Sequence, residues 1–246
     1  MMQNYRITIE YDGTNYHGWQ RQTDDRTIQG TIEAALSTMT GEDVALIGSG
    51  RTDAGVHALG QVANFRTART LAPQAFQAGL NSLLHDDIVI TNCALADQAF
   101  HARYDVKTKT YCYHILNRPL PQAIGRQYAW HIRKSLDLEA MRRATAHILG
   151  SHDFKAFEGT GSPRSNTIRR VERAQWSRST PENLIFEIEA DGFLRYMVRN
   201  LVGTLVDIGL GKKSSDDLGA ILQARDRAHA SATAPPHGLF LLNVTY

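Results

Sequence analysis

Hydrophobic and polar positions alternate from the start of the chain. Tyr5, Ile7, Ile9 and Tyr11 are separated by Arg6, Thr8 and Glu10, the period of a half-buried strand. Thr27 is a good helix cap, and Ile28, Ile32, Leu36 and Met39 then recur at helical spacing as far as Gly41. Val44–Gly48 and Val56–Phe65 read as the second and third strands. Pro73 suits a first helical turn and opens a helix through Phe76, Leu80 and Leu83, after which Ile88–Cys93 reads as a fourth strand. The order is βαββαβ.

After Phe100–Asp105 the same layout returns. Thr108–Leu116 is a predicted strand, with a short extra one at Tyr128–Ile132. Leu138, Met141, Thr145 and Ile148 mark a helix ending near Gly150, and residues 150–167, rich in glycine and serine with Pro163, read as a loop. Strands are expected at Thr167–Trp176 and Leu184–Ala190, then an apolar helix from Leu194 to Gly209, a helix over Ser215–Arg225 and a final strand at Leu239–Tyr246. Without its insertions this half is again βαββαβ. The expected fold class is α+β, with two ferredoxin-like, RRM-like halves forming a continuous antiparallel sheet around a central cleft. Helices would cover one sheet face and leave the other open for a ligand. The domain boundary is placed between an N-terminal domain, 1–102, and a C-terminal domain, 103–246.

Composition narrows the function classes. At 246 residues, 42% hydrophobic and 21% charged, the chain has the make-up of a globular protein with a substantial core. No apolar run approaches the length of a membrane span. The start runs directly into a strand pattern, without a secretory leader, and a reducing, cytoplasmic setting is expected. Cys93 and Cys112 make neither a disulfide framework nor a four-ligand zinc site, and the ten histidines contain no metalloprotease spacing. No metal is expected. The net charge of +2 hides an asymmetry: residues 101–178 hold 15 basic and 6 acidic side chains, and the 27 basic residues comprise 21 Arg and 6 Lys. An Arg-rich segment of this size suits a polyanion, although a solvated basic face has the same composition.

Candidate chemistry is concentrated in Gly48-Ser49-Gly50-Arg51-Thr52-Asp53-Ala54-Gly55-Val56-His57-Ala58-Leu59-Gly60, between two predicted strands. It is neither a P-loop nor a dinucleotide fingerprint. Asp53 beside Arg51 fits a carboxylate held ionised by a guanidinium, suited to a nucleophile or an electrostatic stabiliser. An Asx-turn with Arg51 as a surface partner is the ordinary alternative. Arg199 lies among Leu194, Met197, Val198, Leu201 and Val202. A charge on an apolar helix needs a partner, and Asp53 is the one favoured, unless Arg199 snorkels from the helix edge as Arg195 is expected to do.

The stretch Gly50–Ala58 resembles the signature of the tRNA pseudouridine synthase A family. So, in order, do Ile9–Gly13 with Gly18–Gln22, Phe100–Arg103, Lys109–Tyr113, Phe193-Leu194 with Met197–Gly203, and Ala234–Leu239. The similarity is weakest over Phe154–Arg164, where the family pattern has a basic, cysteine-containing stretch. The resemblance implies a cofactor-free isomerisation of uridine to pseudouridine at positions 38, 39 and 40 of the tRNA anticodon stem-loop, by a homodimer. It makes Asp53 the catalytic aspartate and Tyr111 the residue stacking on the target uracil, with a part in removing the C5 proton; for Tyr113 an ordinary core role is expected. Base flipping is required, and Arg51 is the candidate to fill the vacated stack or hold the flipped base. His57 and His101 are weaker candidates, more in keeping with structural roles. Phosphate contacts are expected from among Arg103, Lys107, Lys109, Arg126, Arg142, Arg143, Arg164, Arg169 and Arg170. Two other classes share part of the pattern: a non-catalytic RNA-binding protein, and a nucleoside or glycoside hydrolase using the same aspartate.

Overall fold

The computed structural model of the chain describes residues 2–159, 161 and 166–246. The first elements are β1 (Gln3–Tyr11), α1 (Ile28–Thr40), β2 (Leu46–Gly48), β3 (His57–Thr67), α2 (Pro73–Leu83) and β4 (Ile88–Leu95). Next come β5 (Thr108–Asn117), β6 (Trp130–Ile132), α3 (Leu138–Thr145), β7 (Gly150–Asp153), β8 (Ile168–Arg178) and β9 (Asn183–Ala190). The chain ends with α4 (Met197–Gly209), α5 (Asp217–Ala224) and β10 (Leu239–Thr245). The fold is α+β on mostly antiparallel strands. It divides into two compact units, Met1–Lys107 with Phe240–Tyr246, and Thr108–Leu239. The last strand therefore sits with the first unit, where the sequence pattern placed it with the second. Backbone pairing accounts for this: β10 runs parallel to β3 through Phe240 and Leu241, and the Lys107 N–H donates to the Thr245 carbonyl.

In the first unit the strands lie in the order β4-β1-β3, with β2 pairing β3, all antiparallel. The alternation seen in the sequence is the buried face of β1: Tyr5, Ile7 and Ile9 are fully buried. Tyr5 stacks on Phe65 at 5.3 Å and meets the edge of Phe76 at 4.6 Å, joining β1, β3 and α2 through aromatic contacts worth about 1 kcal/mol each beyond their buried area. Thr27 caps α1 by accepting the Gly30 N–H, and Pro73 opens α2, as the sequence predicts. The opposite sheet face is not bare. Asn4 and Asn64 are buried there and bonded to each other at 3.0 Å. Asn4 donates to the carbonyls of Asp97 and Phe100, and Asn64 accepts the Ala102 N–H, so these two amides fasten segment 97–102 onto the sheet.

The second unit carries the antiparallel order β5-β9-β8-β7, with β6 parallel to β5. Every second residue of β9 from Leu184 to Ala190 is buried. Two sequence expectations need correction. The 150–167 stretch is not wholly loop: Gly150–Asp153 pairs with β8, and Phe154, Ala156 and Phe157 are buried in a short turn of helix. A run rich in small residues concealed apolar anchors spaced for packing. The α4 helix begins at Met197 and not at Leu194, because Tyr196 takes φ 62, in the left-handed region, and breaks the helical run.

Asn200, fully buried on α4, ties this unit together. Its Nδ2 donates to the Phe157 carbonyl at 2.8 Å, while Oδ1 accepts from Thr233 Oγ1 at 2.6 Å and from Arg227 at 3.2 Å. Asn200→Ala strands several buried polar groups. It is expected to cost about 3 kcal/mol, read as a lower urea midpoint for the loss of secondary structure.

Candidate active site

The loop between β2 and β3 is fixed residue by residue. Ser49 donates its N–H to the Val62 carbonyl, and its hydroxyl donates to Gln61 Oε1 at 2.6 Å; Gln61 in turn donates to the Gly50 carbonyl. Thr52 is buried, its Oγ1 lies 2.7 Å from the Tyr11 hydroxyl, and its carbonyl accepts the Trp19 N–H at 3.1 Å. Beyond Asp53, the Gly55 N–H donates to the Tyr16 carbonyl and the Val56 N–H closes a turn on the Asp53 carbonyl. Asp53 itself is only half-buried. A carboxylate on a loop tied down on both sides has a backbone that needs little reorganisation to meet a ligand.

The supporting residues come from segment 11–19. A Cβ on Gly13 would lie 2.0 Å from the Val56 carbonyl oxygen. Gly18 takes φ 88, and a Cβ there would lie 2.7 Å from the Thr52 carbonyl oxygen. Only glycine allows these approaches. Tyr16 is buried, and its hydroxyl donates to Asp87 at 2.6 Å and accepts from Arg26 at 2.8 Å. Burial pushes the Tyr11 phenol far above its ordinary pKa, with smaller opposing effects from Thr52 and Gln61, so it acts as a neutral hydrogen-bonding group. The sequence matched these segments without revealing what they do; their signal was a run of glycines and aromatics at one end of a strand.

Arg51 is exposed next to Thr52, in a position to reach a ligand. His57 is buried, stacked on Phe240, and its Nδ1 accepts the Gly13 N–H at 3.1 Å. Asp12 lies 3.0 Å from the same nitrogen, so a proton placed there would exchange the Gly13 contact for the Asp12 one. That is the geometry of a strut. His101 is likewise engaged in its own turn, with Nδ1 accepting the N–H groups of Arg103 and Tyr104.

In the second unit, Tyr111 lies on β5 opposite Ile188, 8% exposed, with its ring edge-on to Phe193 at 5.0 Å. Tyr113 shares that face two residues on. It is wholly buried and donates to the Pro235 carbonyl at 2.7 Å, the core role expected of it. Arg199, half-buried on α4, donates from Nε to the Ala234 carbonyl at 2.8 Å and lies 4.9 Å from the Tyr196 ring centre; exposed Arg195 lies 4.7 Å from the same centre. Arg51 and Asp53 thus lie on one loop of the first unit, and Tyr111 and Arg199 on β5 and α4 of the second.

The remaining nucleophiles are unsuited to chemistry. Burial raises the Cys93 thiol to about 11, and burial with the Glu187 charge raises Cys112 to about 12, so neither is a thiolate at neutral pH. Among the described residues no cluster of three or more His, Cys, Asp or Glu side chains could hold a metal ion, and no helix is long and apolar enough to cross a membrane. Of the expected phosphate contacts, Arg142 pairs with Glu139 and Arg170 with Glu172, Arg169 donates to the Asn166 and Ile168 carbonyls, and Arg164 lies outside the described residues. Arg103, Lys107, Arg126 and Arg143 are exposed.

Residues 7–105 and 144–246 match the family model described as tRNA pseudouridine synthase. Curated relatives named tRNA pseudouridine synthase A align end to end, covering 100% of both chains. They include those of Acetivibrio thermocellus and a Thermoanaerobacter species, each 47% identical, and that of Geotalea uraniireducens, 45% identical.

Two measurements test the supports. Tyr11→Phe leaves the buried Thr52 hydroxyl without its phenol partner, and should lower stability by about 1–2 kcal/mol in urea unfolding. Burial also holds the His237 ring below its ordinary 6.5, against a hydrogen bond with the Ala129 backbone and with the help of the Arg199 charge. The unfolded chain therefore takes up this proton first, and stability falls as pH drops below 6.5. His237→Gln should flatten the decline of the thermal midpoint between about pH 7.5 and 5.5.

Proposed function

Because the chain belongs to the tRNA pseudouridine synthase family, we propose that it isomerises uridine to pseudouridine at positions 38, 39 and 40 of the tRNA anticodon stem-loop, with Asp53 as nucleophile. The observation that carries this reading is the presentation of Asp53: half-exposed, on a loop held by Tyr11, Trp19, Tyr16 and Gln61.

The reaction breaks the N1–C1′ bond of uridine, turns the uracil over and joins C5 to C1′. One proton leaves C5 and one is taken up at N1, so there is no net oxidation and no electron carrier is called for. Positive charge builds at C1′ as the glycosidic bond breaks, and an ionised carboxylate stabilises it. Attack at C1′ and attack or proton abstraction elsewhere on the nucleotide make use of the same carboxylate. Tyr111 is assigned to stack on the uracil and assist removal of the C5 proton, and Arg199 is the cationic member of the catalytic set. Arg51, exposed beside the nucleophile, takes the space left by the flipped base or holds the base itself. Three adjacent target positions fit recognition by shape and backbone and not by base edges.

The strand order of the first unit, β4-β1-β3-β2, supports reading that half as ferredoxin-like. By family resemblance the enzyme acts in the cytoplasm as a homodimer.

Release of tritium from tRNA labelled at uridine C5 tests the reaction. No release by the purified protein leaves only RNA binding, and free uracil in place of a retained isomer marks a hydrolase. Asp53→Asn is expected to abolish release while keeping tRNA affinity within a few-fold; an active variant removes Asp53 from the role. Tyr111→Phe keeps the ring and loses the hydroxyl. It should slow single-turnover product formation by about 10²-fold or more, the usual scale for a lost proton-transfer group, with tRNA binding little changed.

A further inference from the structure

We propose that Tyr104, backed by His101 and flanked by Arg103, is a platform on which an unpaired base of the tRNA substrate stacks. The inference rests on the tRNA reading above and adds a contact separate from the catalytic loop.

Tyr104 is 74% exposed although its ring lies on His101, with centroids 4.2 Å apart and planes 30° from parallel. A single exposed side chain is ordinary, but this ring is also held in place. His101 Nδ1 accepts the Arg103 and Tyr104 N–H groups at 3.2 and 3.3 Å, and the His101 carbonyl accepts the N–H groups of Tyr104 and Asp105. Asp105 Oδ2 accepts the His101 N–H at 2.8 Å, which engages the one carboxylate of the turn in its own backbone. Beneath the turn Ala102 is fully buried, its N–H bonded to Asn64 and its carbonyl to the Tyr246 hydroxyl at 2.8 Å.

The charge beside the ring has the sign that suits a polyanion. The Arg103 guanidinium carbon lies 5.7 Å from the Tyr104 ring centre, and both Arg103 and Lys107 are exposed. A flat ring on a fixed turn beside a cation is how single-stranded nucleic acid is bound without reading its sequence: bases stack on the ring and phosphates meet the charge. An apolar protein partner would find little else here, since Arg103, Asp105 and Lys107 are all exposed along the same segment.

The test uses the full-length protein and an unmodified tRNA transcript carrying uridine at positions 38–40, with Kd measured by filter binding over a range of salt. Tyr104→Ala and Tyr104→Leu should each weaken binding about ten-fold, while Tyr104→Phe stays within two-fold, because stacking needs the ring and not the hydroxyl. The slope of log K against log salt should be unchanged in Tyr104→Ala and reduced by about one in Arg103→Ala. Wild-type affinity in Tyr104→Leu overturns the platform, as does a Phe variant as weak as Ala, or a changed oligomeric state in Tyr104→Ala by sedimentation. Failure of the tRNA reading looks different: the wild-type protein itself would release no tritium.

Discussion

The placement of Asp53 depends on how Thr52 is held. Its hydroxyl meets the Tyr11 phenol, its carbonyl accepts the Trp19 N–H, and its neighbours Ser49, Gly50 and Gly55 are bonded to Val62, Gln61 and Tyr16. A loop of this length between strands would otherwise sample many conformations, each fixed residue costing about 1–2 kcal/mol of entropy to order. Here that cost is met at folding by side-chain and backbone hydrogen bonds reaching in from β1, β3 and the segment after β1. The backbone that carries Asp53 is therefore in place before any ligand arrives, the condition under which a charged group needs little reorganisation.

The same constraint explains why the resemblance to known synthases is spread along the chain. Gly13, Gly18 and Trp19 have no chemistry to offer a uridine. They matter because Gly13 and Gly18 allow the backbone approach to Val56 and Thr52, and because Trp19 supplies an N–H at the point where the loop turns. Asn200 does the equivalent in the second unit, fastening α4 to Phe157 and Thr233 while Arg199 beside it holds the Ala234 carbonyl. Residues that resemble the family but carry no reactive group are, in this structure, the ones that hold backbone to backbone.

Much of the fold was legible because local patterning dictated it. The period-two strands β1 and β9, the Thr27 cap and Pro73 all depend on near neighbours, and they form where the pattern puts them. What stayed hidden depends on distant partners. The start of α4 is set by a left-handed Tyr196, β7 exists because β8 is there to pair with it, and β10 pairs with β3 of the first unit. At the site, Asp53 and Arg51 stood out as charges on a glycine-rich turn. The bond from Tyr11 to Thr52 spans 41 positions, and in sequence Tyr11 is one more apolar residue of an alternating strand. The Asn4–Asn64 pair was hidden in the same way, as two polar residues on a strand face expected to lie open.

Charge is where linear counting and the folded chain diverge most. The segment 101–178 is strongly basic on paper, yet Arg118 pairs with Glu182, Arg142 with Glu139, Arg170 with Glu172, Arg173 with Glu187 and Glu189, and Lys155 with Glu158. Three of those carboxylates, Glu139, Glu158 and Glu172, come from within the segment itself, but Glu187 and Glu189 are brought alongside Arg173 by the β8–β9 pairing, and Glu182 is brought to Arg118 by the β5–β9 pairing. Sheet formation thus neutralises part of the excess that the count exposed. An RNA surface assembled from what is left, Arg103, Lys107, Arg126 and Arg143 among them, makes fewer phosphate contacts than the count implied, and salt would weaken it correspondingly less. The shortfall has to be made up by contacts that salt does not screen, those of shape and of stacking on flat rings.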